Sequence, residues 1–442
     1  MTGNLEEATE RVRRQAADGA EAALREAARQ MRSGERDLGQ VERQIREQTR
    51  PIAAAVLAAA LETMGNGKDH CHRPCACQGT QRYVSDRPKT LQTLFGPVEV
   101  KRAYYHCSNC GRGDFPLDRA LGVEGTTLTP AVQEAVAWAD AEMAYGRAAR
   151  FLERVAGLSL SKDTCETLAG ELGQAVQPQA LERAHAAWER LPPAEDFYIT
   201  CDGLKVNTLE GWKEPKLGAI FRAQPNLEGK PIRGPTRYVA HLEPAESFGQ
   251  RLWQLAEALG LRQARRVTVL GDGAPWIWNL ANSFFPEAIQ IVDYYHAVEH
   301  LGDLAKALWG DGAAETKRWT ESAKTLLWHG KIAALLGRLK RLAPTRSVLR
   351  ELVRKSVGYF TENRPRMRYD RFRSMGLFIG SGVVAAGCKS VVDFRFKQSG
   401  MRWCQEGLLR LLHLRLCILN GDWDAFARSH YPRLSNSPAA YF

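Results

Sequence analysis

The chain has 442 residues, enough for roughly three domains at about 150 residues each, and its 44% hydrophobic and 25% charged content argues against a mainly disordered polymer. Lys plus Arg number 61 against 50 Asp plus Glu, a formal charge of +11 that favours polyanionic partners. The longest apolar run, 52–61, is ten residues and too short to cross a bilayer, and the opening MTGNLEEATERVRRQ lacks the basic-then-apolar pattern of a secretory signal, so a soluble intracellular protein with no membrane partner is expected.

Residues 1–64 read as helical. Leu5, Ala8 and Val12, then Ala20, Leu24, Ala27 and Met31, then Leu38, Val41 and Ile45 recur at three- and four-residue steps, with Gly34 and Gly39 marking a break between two helices. An amphipathic pair with a solvated charged face is the simplest reading, and a dimerising or DNA-binding role is compatible with it.

Residues 65–128 change character to turns and short β-like runs. Five of the ten cysteines lie within 40 residues here, too local for a disulfide framework in a chain of this length. Cys75-Ala76-Cys77 and Cys107-Ser108-Asn109-Cys110 form two closely spaced pairs with 29 residues between them, and a hairpin would bring four thiolates onto one tetrahedral Zn2+. His70, Cys71 and His72 are spare candidates. Four protein ligands leave no open position, so a structural zinc ribbon is expected.

Residues 129–193 return to helix. Ala149, Gly157 and a helix opening at Ser161-Lys162 sit where a helix-turn-helix places its packing alanine, its turn and its recognition helix, so Lys162 is a candidate DNA contact, with plain helical packing an equal alternative. Residues 194–300 are α/β: strands over 197–201, 216–221, 237–242, 266–270 and 288–292, with helices over 248–259 and 276–284. Three strands, a helix, a strand, a helix and a strand is the order of a ribonuclease-H-like sheet.

The helical span 301–376 interrupts that core. Over 301–375 it holds 17 Lys plus Arg against 7 Asp plus Glu, nearly the whole net charge, interleaved with Trp309, Trp319, Trp328, Tyr359 and Tyr369. That pattern suggests a surface for a phosphate backbone. Residues 377–442 re-enter the core through Gly380-Ser381-Gly382, a helix over 383–393 and a strongly apolar closing helix. The fold class expected is multidomain α+β: a ribonuclease-H-like core split by an all-α insertion and preceded by helical, zinc-ribbon-like and helix-turn-helix regions.

Two aspartates, Asp202 and Asp272, end two of the predicted strands, each followed by glycine. Short carboxylates at strand ends point into the crevice above a sheet, where hard oxygen ligands suit Mg2+ or Mn2+. Two such ions about 3.5–4 Å apart activate an attacking oxygen and stabilise a leaving oxygen at phosphorus. A lone Asp-Gly is more simply a turn cap, but two at matching points of the strand order favour metal.

At these residues the chain resembles the DDE transposases of bacterial insertion sequences, most closely the ISKra-type group. The resemblance rests on RPKTLQTLFGPVEVKRAYYHC between the cysteine turns, FPLDRALG, CDGLKV, EGWKEPKLGAIF, LGDGAPWIWNLANSFFPEAIQIVDYYHAVEHL, GSGVVAAGCKSVV and RFKQSGMRW, in that order along nearly the whole chain. It implies Mg2+-dependent cleavage and transfer of DNA strands, with Asp202 and Asp272 as the first two catalytic carboxylates. Asp293-Tyr294-Tyr295-His296 is similar to a motif of Mutator-like relatives whose histidine lies close to the active site. The implied partners are transposon ends and target DNA as duplexes, with a homodimer to pair two ends, in the cytoplasm at the nucleoid.

One position departs from the pattern. The third carboxylate of the family is a Glu after GSGxV, and Ala385 stands there. A methyl group ligates no metal, so a catalytically impaired form is expected, either engineered to trap DNA or naturally disabled; the survival of Asp202, Asp272, His296 and the zinc cysteines points to the former. Asp393 and Glu406 are the nearby substitutes. The alternative function is a non-catalytic, transposase-derived DNA-binding protein, a repressor or architectural factor. Trp276, Trp278 and Trp403, beside the motif residues, read as core packing.

Overall fold

Alanine decides how the chain begins. In the computed structural model, which describes residues 2–34, 36–189, 196–226 and 231–434, helices α1 (Thr2–Ser33) and α2 (Leu38–Thr63) form a hairpin. Ala8, Ala23, Ala27, Val41 and Ala59 are buried, whereas Leu5, Leu24, Met31, Leu38 and Ile45 stay exposed. Small residues let the backbones approach closely, so the larger apolar residues of the predicted stripe are left facing outward. The break falls at Gly34, in the left-handed region at φ +68, and Asp37 starts α2 with a capping box: its side chain accepts from the Gln40 amide at 2.9 Å while Gln40 Oε1 accepts from the Asp37 amide. Gly39 lies inside α2.

The chain divides into two compact units, residues 1–169 with 424–442, and residues 170–423. In the first, strands β1 (His72–Pro74), β2 (Thr80–Thr93), β3 (Gly96–Cys107) and β4 (Gly113–Asp114) make an antiparallel sheet in sequence order. The long β2–β3 hairpin turns at Gly96, where φ is +106. Near that end Leu91 and Val100 pack with Leu117, Leu121 and Val123 from and beyond α3 (Pro116–Ala120). Helices α4 (Pro130–Glu142), α5 (Tyr145–Ala156) and α6 (Lys162–Ala175) follow. Ala149 is buried, Gly157 terminates α5 at φ +64, and the Ser161 side chain accepts from the Thr164 amide at the start of α6, with Lys162 exposed beside it.

The unit boundary falls inside α6, and the second unit continues through α7 (Ala180–Trp188) to β5 (Asp196–Gly203), followed by a short hairpin, β6 (Val206–Thr208) and β7 (Gly211–Lys213), that the sequence pattern did not predict. β8 (Lys216–Pro225), β9 (Pro231–His241), α8 (Ala245–Ala258), β10 (Arg266–Gly271), α9 (Pro275–Phe284) and β11 (Ile289–Val292) come next. The five-stranded sheet runs β11-β10-β5-β8-β9: β8 is antiparallel to β5 and β9, while β10 lies parallel to β5 and β11. The five predicted strands and both predicted helices are therefore present, in one mixed sheet.

Helices α10 (Tyr294–Trp309), α11 (Ala314–Trp328), α12 (Ile332–Lys340), α13 (Ser347–Glu362) and α14 (Tyr369–Ser374) fill the span read as an insertion. Their apolar faces belong to the same core as the sheet: Trp319, Leu327, Leu335, Phe360 and Tyr369 are buried with Phe197, Ile199, Val269 and Ile291. Of the five interleaved aromatics, Trp319 and Tyr369 are thus interior, and Trp309 and Trp328 keep exposed edges. The chain then returns through an unbroken helical segment that includes the expected helix over 383–393: α15 (Gly382–Gly387), a π-helical turn (Cys388–Asp393) and α16 (Phe394–Phe396). α17 (Gln405–Leu419) closes the unit, and α18 (Trp423–His430) falls in the other. Trp278 and Trp403 are buried and Trp276 packs on the core, as core tryptophans should.

Beside β9, the rings of His241 and His413 stack at 5.5 Å, with Glu243 3.3 Å from His241 and Arg251 bound to the same glutamate. Burial, then His241 and Arg251, push His413 down to about 4. A histidine held neutral in the fold but basic when unfolded stabilises the protein above the ordinary value near 6.5, and that stability is lost as the pH falls towards 4. Between pH 7 and 5 the loss from this group is about 2 kcal/mol. His413→Gln is expected to lose correspondingly less stability over that interval in urea titrations; equal pH slopes in the two proteins would remove His413 as the cause.

Candidate functional site

Two parallel strands bring the aspartates together. β5 and β10 pair with Thr200 opposite Leu270, so the same register carried two residues further sets Asp202 beside Asp272 at the carboxyl ends of both strands. Asp202 accepts from the Gly203 amide at 2.7 Å and from the Cys388 thiol at 3.4 Å. Asp272 accepts from the Ala274 amide at 2.8 Å, which fixes the turn into α9. Burial pushes the Asp202 carboxyl above its usual range, and the negative charge of Asp272 pushes it further the same way. Among the described residues neither carboxylate forms a salt bridge with Lys or Arg. Two close, half-buried carboxylates with no Lys or Arg partner among the described residues could hold a divalent ion through their oxygens.

Around them stand residues that the sequence alone did not assign to this site. Tyr359, from α13, donates its hydroxyl to the backbone carbonyl of Asp272 at 2.9 Å, and its ring fills the space a side chain at Gly273 would need. Gly273 sits at φ +104, so both conformation and room require glycine there. His300 lies 4.5 Å from the Tyr359 ring and 4.7 Å from that of His296. Burial, then the neighbouring His296, hold His300 below the usual histidine range. His300 is four residues after His296, one helical turn along the same face, and that spacing was a readable signal. Tyr359 had none, because its partner is 87 residues away.

His296 is half-exposed, 3.6 Å from Glu299, and its positive form would favour the charged state of Asp202. It is set by Asp293, which is buried and fully engaged. Asp293 Oδ1 accepts from the Tyr295 and His296 amides, capping α10, while Oδ2 accepts from the Ser381 amide at 2.7 Å and from the Ser381 hydroxyl. Tyr294 N also donates to Ile379 O at 2.8 Å. The aspartate of the Asp-Tyr-Tyr-His run is therefore a clamp that pins the returning Gly-Ser-Gly segment to the end of β11.

That clamp places α15 against β5 and β8. Cys388, in the π-helical turn, reaches Asp202; Ala385 is one turn earlier and exposed. The two alternatives to Ala385 are occupied elsewhere. Asp393 is paired with Lys397 at 2.8 Å, and Glu406 is 74% exposed and bound to Arg410.

The four cysteines of the two turns do come together. Cys75 and Cys110 sulfurs are 3.7 Å apart, Cys77 and Cys107 3.6 Å, and all four lie within 4.8 Å of one another. A tetrahedral zinc with Zn–S near 2.3 Å needs sulfurs about 3.8 Å apart, so the donor set fits. Gly79 is hemmed in by Cys77 and Asn109, and Gly111 sits at φ +71, so both turns are tight. Donation from the Asn109 side chain, then from the Gly79 amide, pulls the Cys77 thiol down to about 6. Against the pull of the Cys77 amide, burial and the other three thiols push Cys75 up to about 11. His70, Cys71 and His72 lie outside the cluster.

A family model described as "Uncharacterised protein family (UPF0236)" matches residues 35–428. A UPF0236 protein of Caldanaerobacter subterraneus subsp. tengcongensis is 22% identical over 366 residues, covering 77% of this chain and 70% of that protein; its name joins eleven locus designations. Another from the same organism is 22% identical over 237 residues, covering 50% of this chain and 44% of the relative. No helix among the described residues is long and apolar enough to cross a membrane.

Proposed function

This chain belongs to the uncharacterised protein family UPF0236, and we propose that it is a DDE transposase of ribonuclease-H-like fold that binds transposon-end DNA. The observation that carries the reading is the pair Asp202 and Asp272, adjacent at the carboxyl ends of β5 and β10 and without a basic partner among the described residues. The strand order supports it: three antiparallel strands followed by two parallel ones, flanked by helices, is the topology of a ribonuclease-H-like sheet. The many locus designations in the relative's name are also what a mobile element that copies itself within a genome would leave.

Asp202 and Asp272 would hold Mg2+ or Mn2+, which when bound activates the attacking oxygen and stabilises the leaving oxygen of a phosphodiester. The chain's own groups do the rest. The Gly203 and Ala274 amides orient the two carboxylates, Tyr359 fixes the backbone of Asp272, and Asp293 holds both His296 and the returning α15 at the mouth of the crevice. The zinc cluster has a structural part. The exposed Leu24, Met31, Leu38 and Ile45 on the first two helices support a pairing of two copies, as two DNA ends require.

Ala385 favours a second reading, a transposase-derived binder that no longer cuts. The first reading expects terminal inverted repeats beside the gene as the preferred DNA, and their absence favours the second. The test is competition binding: the full chain should hold a duplex of the repeat flanking its own gene at least tenfold more tightly than a scrambled duplex of equal length. Equal affinity, or no flanking repeat, would count against a transposon-end protein.

A further inference from the structure

The first unit contains a concave surface of about 1060 Å³ between α2 and α5, lined by Arg36, Arg43, Arg46, Arg150 and Arg154 with only Glu47 and Glu153 against them. Its walls are fixed by two of α2's own arginines. Arg46 donates to the Val155 carbonyl at 2.6 Å, and Arg50 lies over Gly157, where a Cβ would strike its guanidinium. Cations at the carboxyl end of α5 are favoured by the helix dipole and satisfy its last carbonyls. α2 is thereby tied alongside α5, and the remaining arginines face the space between.

Their partners are unequally distributed. Arg36 donates to Gln44 and Arg46 to Glu47, but Arg43, Arg150 and Arg154 are exposed and have no acidic partner among the described residues. On α1, by contrast, arginines are routinely paired, as Arg14 with Glu10, Arg25 with Glu21 and Arg29 with Glu26. Three unpaired guanidiniums around one concavity repel one another unless an anion sits between them, and guanidinium forks suit phosphate oxygens. Arg147, one turn before Arg150 and Phe151, extends the row along α5.

We propose that this groove seats one strand of a DNA duplex by its phosphates, independently of base sequence. The assignment rests on the transposase reading above and deepens it. The surface is distinct from the basic span 301–375 and from Lys162. α5 precedes α6 across the Gly157 turn, and in a helix-turn-helix the first helix crosses the backbone while the second enters the major groove. Arginines on α5 and on the adjoining α2 are then where phosphates of a duplex read by α6 would pass.

The test uses the full chain, a 30-base-pair random-sequence duplex and fluorescence anisotropy over a range of salt. The triple variant Arg43→Ala, Arg150→Ala, Arg154→Ala should bind about 10- to 100-fold more weakly near 0.1 M salt, with the slope of log K against log salt reduced by about 2 to 3. The loss should be the same on flanking-repeat and scrambled duplexes. Replacing the same three residues by Lys should restore most of the slope, which separates charge from damage to the fold. Unchanged affinity and slope in the Ala variant, with the parent binding DNA, would overturn the groove and leave the transposase reading standing. A parent that binds no duplex would overturn both. Loss of poly-glutamate binding with duplex binding intact would reassign the groove to an acidic protein.

Discussion

If the chain is the transposase proposed above, Ala385→Glu is expected to raise its nicking of transposon-end DNA with Mg2+ or Mn2+ by roughly 10²-fold or more, the scale of losing one preorganised charge-stabilising group. The position is suited to it. Ala385 is exposed at the start of the returning helix, so a longer side chain overpacks nothing. Cys388, three residues on, already touches Asp202 at 3.4 Å, and residues three apart lie on one side of a helix. A glutamate at 385 would therefore reach towards the same carboxylate pair. Asp272→Asn in the Ala385→Glu protein should abolish the gain. Equal cleavage by the parent and the Glu variant would mean that another group completes the site, and Glu406 or Asp393 would then have to leave its basic partner. Silence in both, with DNA bound, would favour the non-catalytic binder.

The second large effect concerns the cysteine cluster. Removing the metal with a strong chelator, or Cys107→Ser, is expected to unfold the sheet end formed by 71–83 and 104–114 while the hairpin turn stays ordered. The reason lies in where the apolar contacts are. Leu91 and Val100 pack with Leu117, Leu121 and Val123 near the turn, whereas Gln81 pairs with Cys107 roughly 30 Å away along the strands. At that far end the thiols stand in tight turns, and the apolar packing comes from pairs such as the edge-to-face contact of Tyr83 with the buried Tyr105, whose hydroxyl donates to Asp69 and to His70 O. Zinc supplies about 10–16 kcal/mol of apparent binding energy to zinc-finger peptides, far more than these contacts. Hydrogen exchange should rise sharply in the two cysteine turns and little at 91–100, with one zinc per chain released. A metal-free protein with unchanged exchange would make the cluster a set of packed thiols.

Much of this is legible in the sequence itself, and for a common reason: local patterns report local structure. The apolar runs placed five strands and their helices, the CxC and CxxC turns named all four clustered cysteines, and the two Asp-Gly strand ends named the carboxylate pair. Ser161 and Gly157 mark the ends of their helices because capping and positive φ are decided within a few residues.

Other features depend on residues far apart in the chain, and no local pattern carries them. The basic span 301–376 reads as a separate all-α insertion with a surface for a phosphate backbone, yet its apolar faces complete the core of the sheet, because a helix stripe does not say what it will pack against. The first two helices pack through alanines and leave their leucines outside, since close approach favours small side chains over large ones. Tyr359, Cys388 and the Asp293–Ser381 clamp join the aspartates only through contacts spanning 87, 186 and 88 residues. By itself the sequence determined which side chains could do chemistry. The tertiary structure alone decided which of them meet, because burial and hydrogen-bond geometry are properties of the folded neighbourhood rather than of the chain.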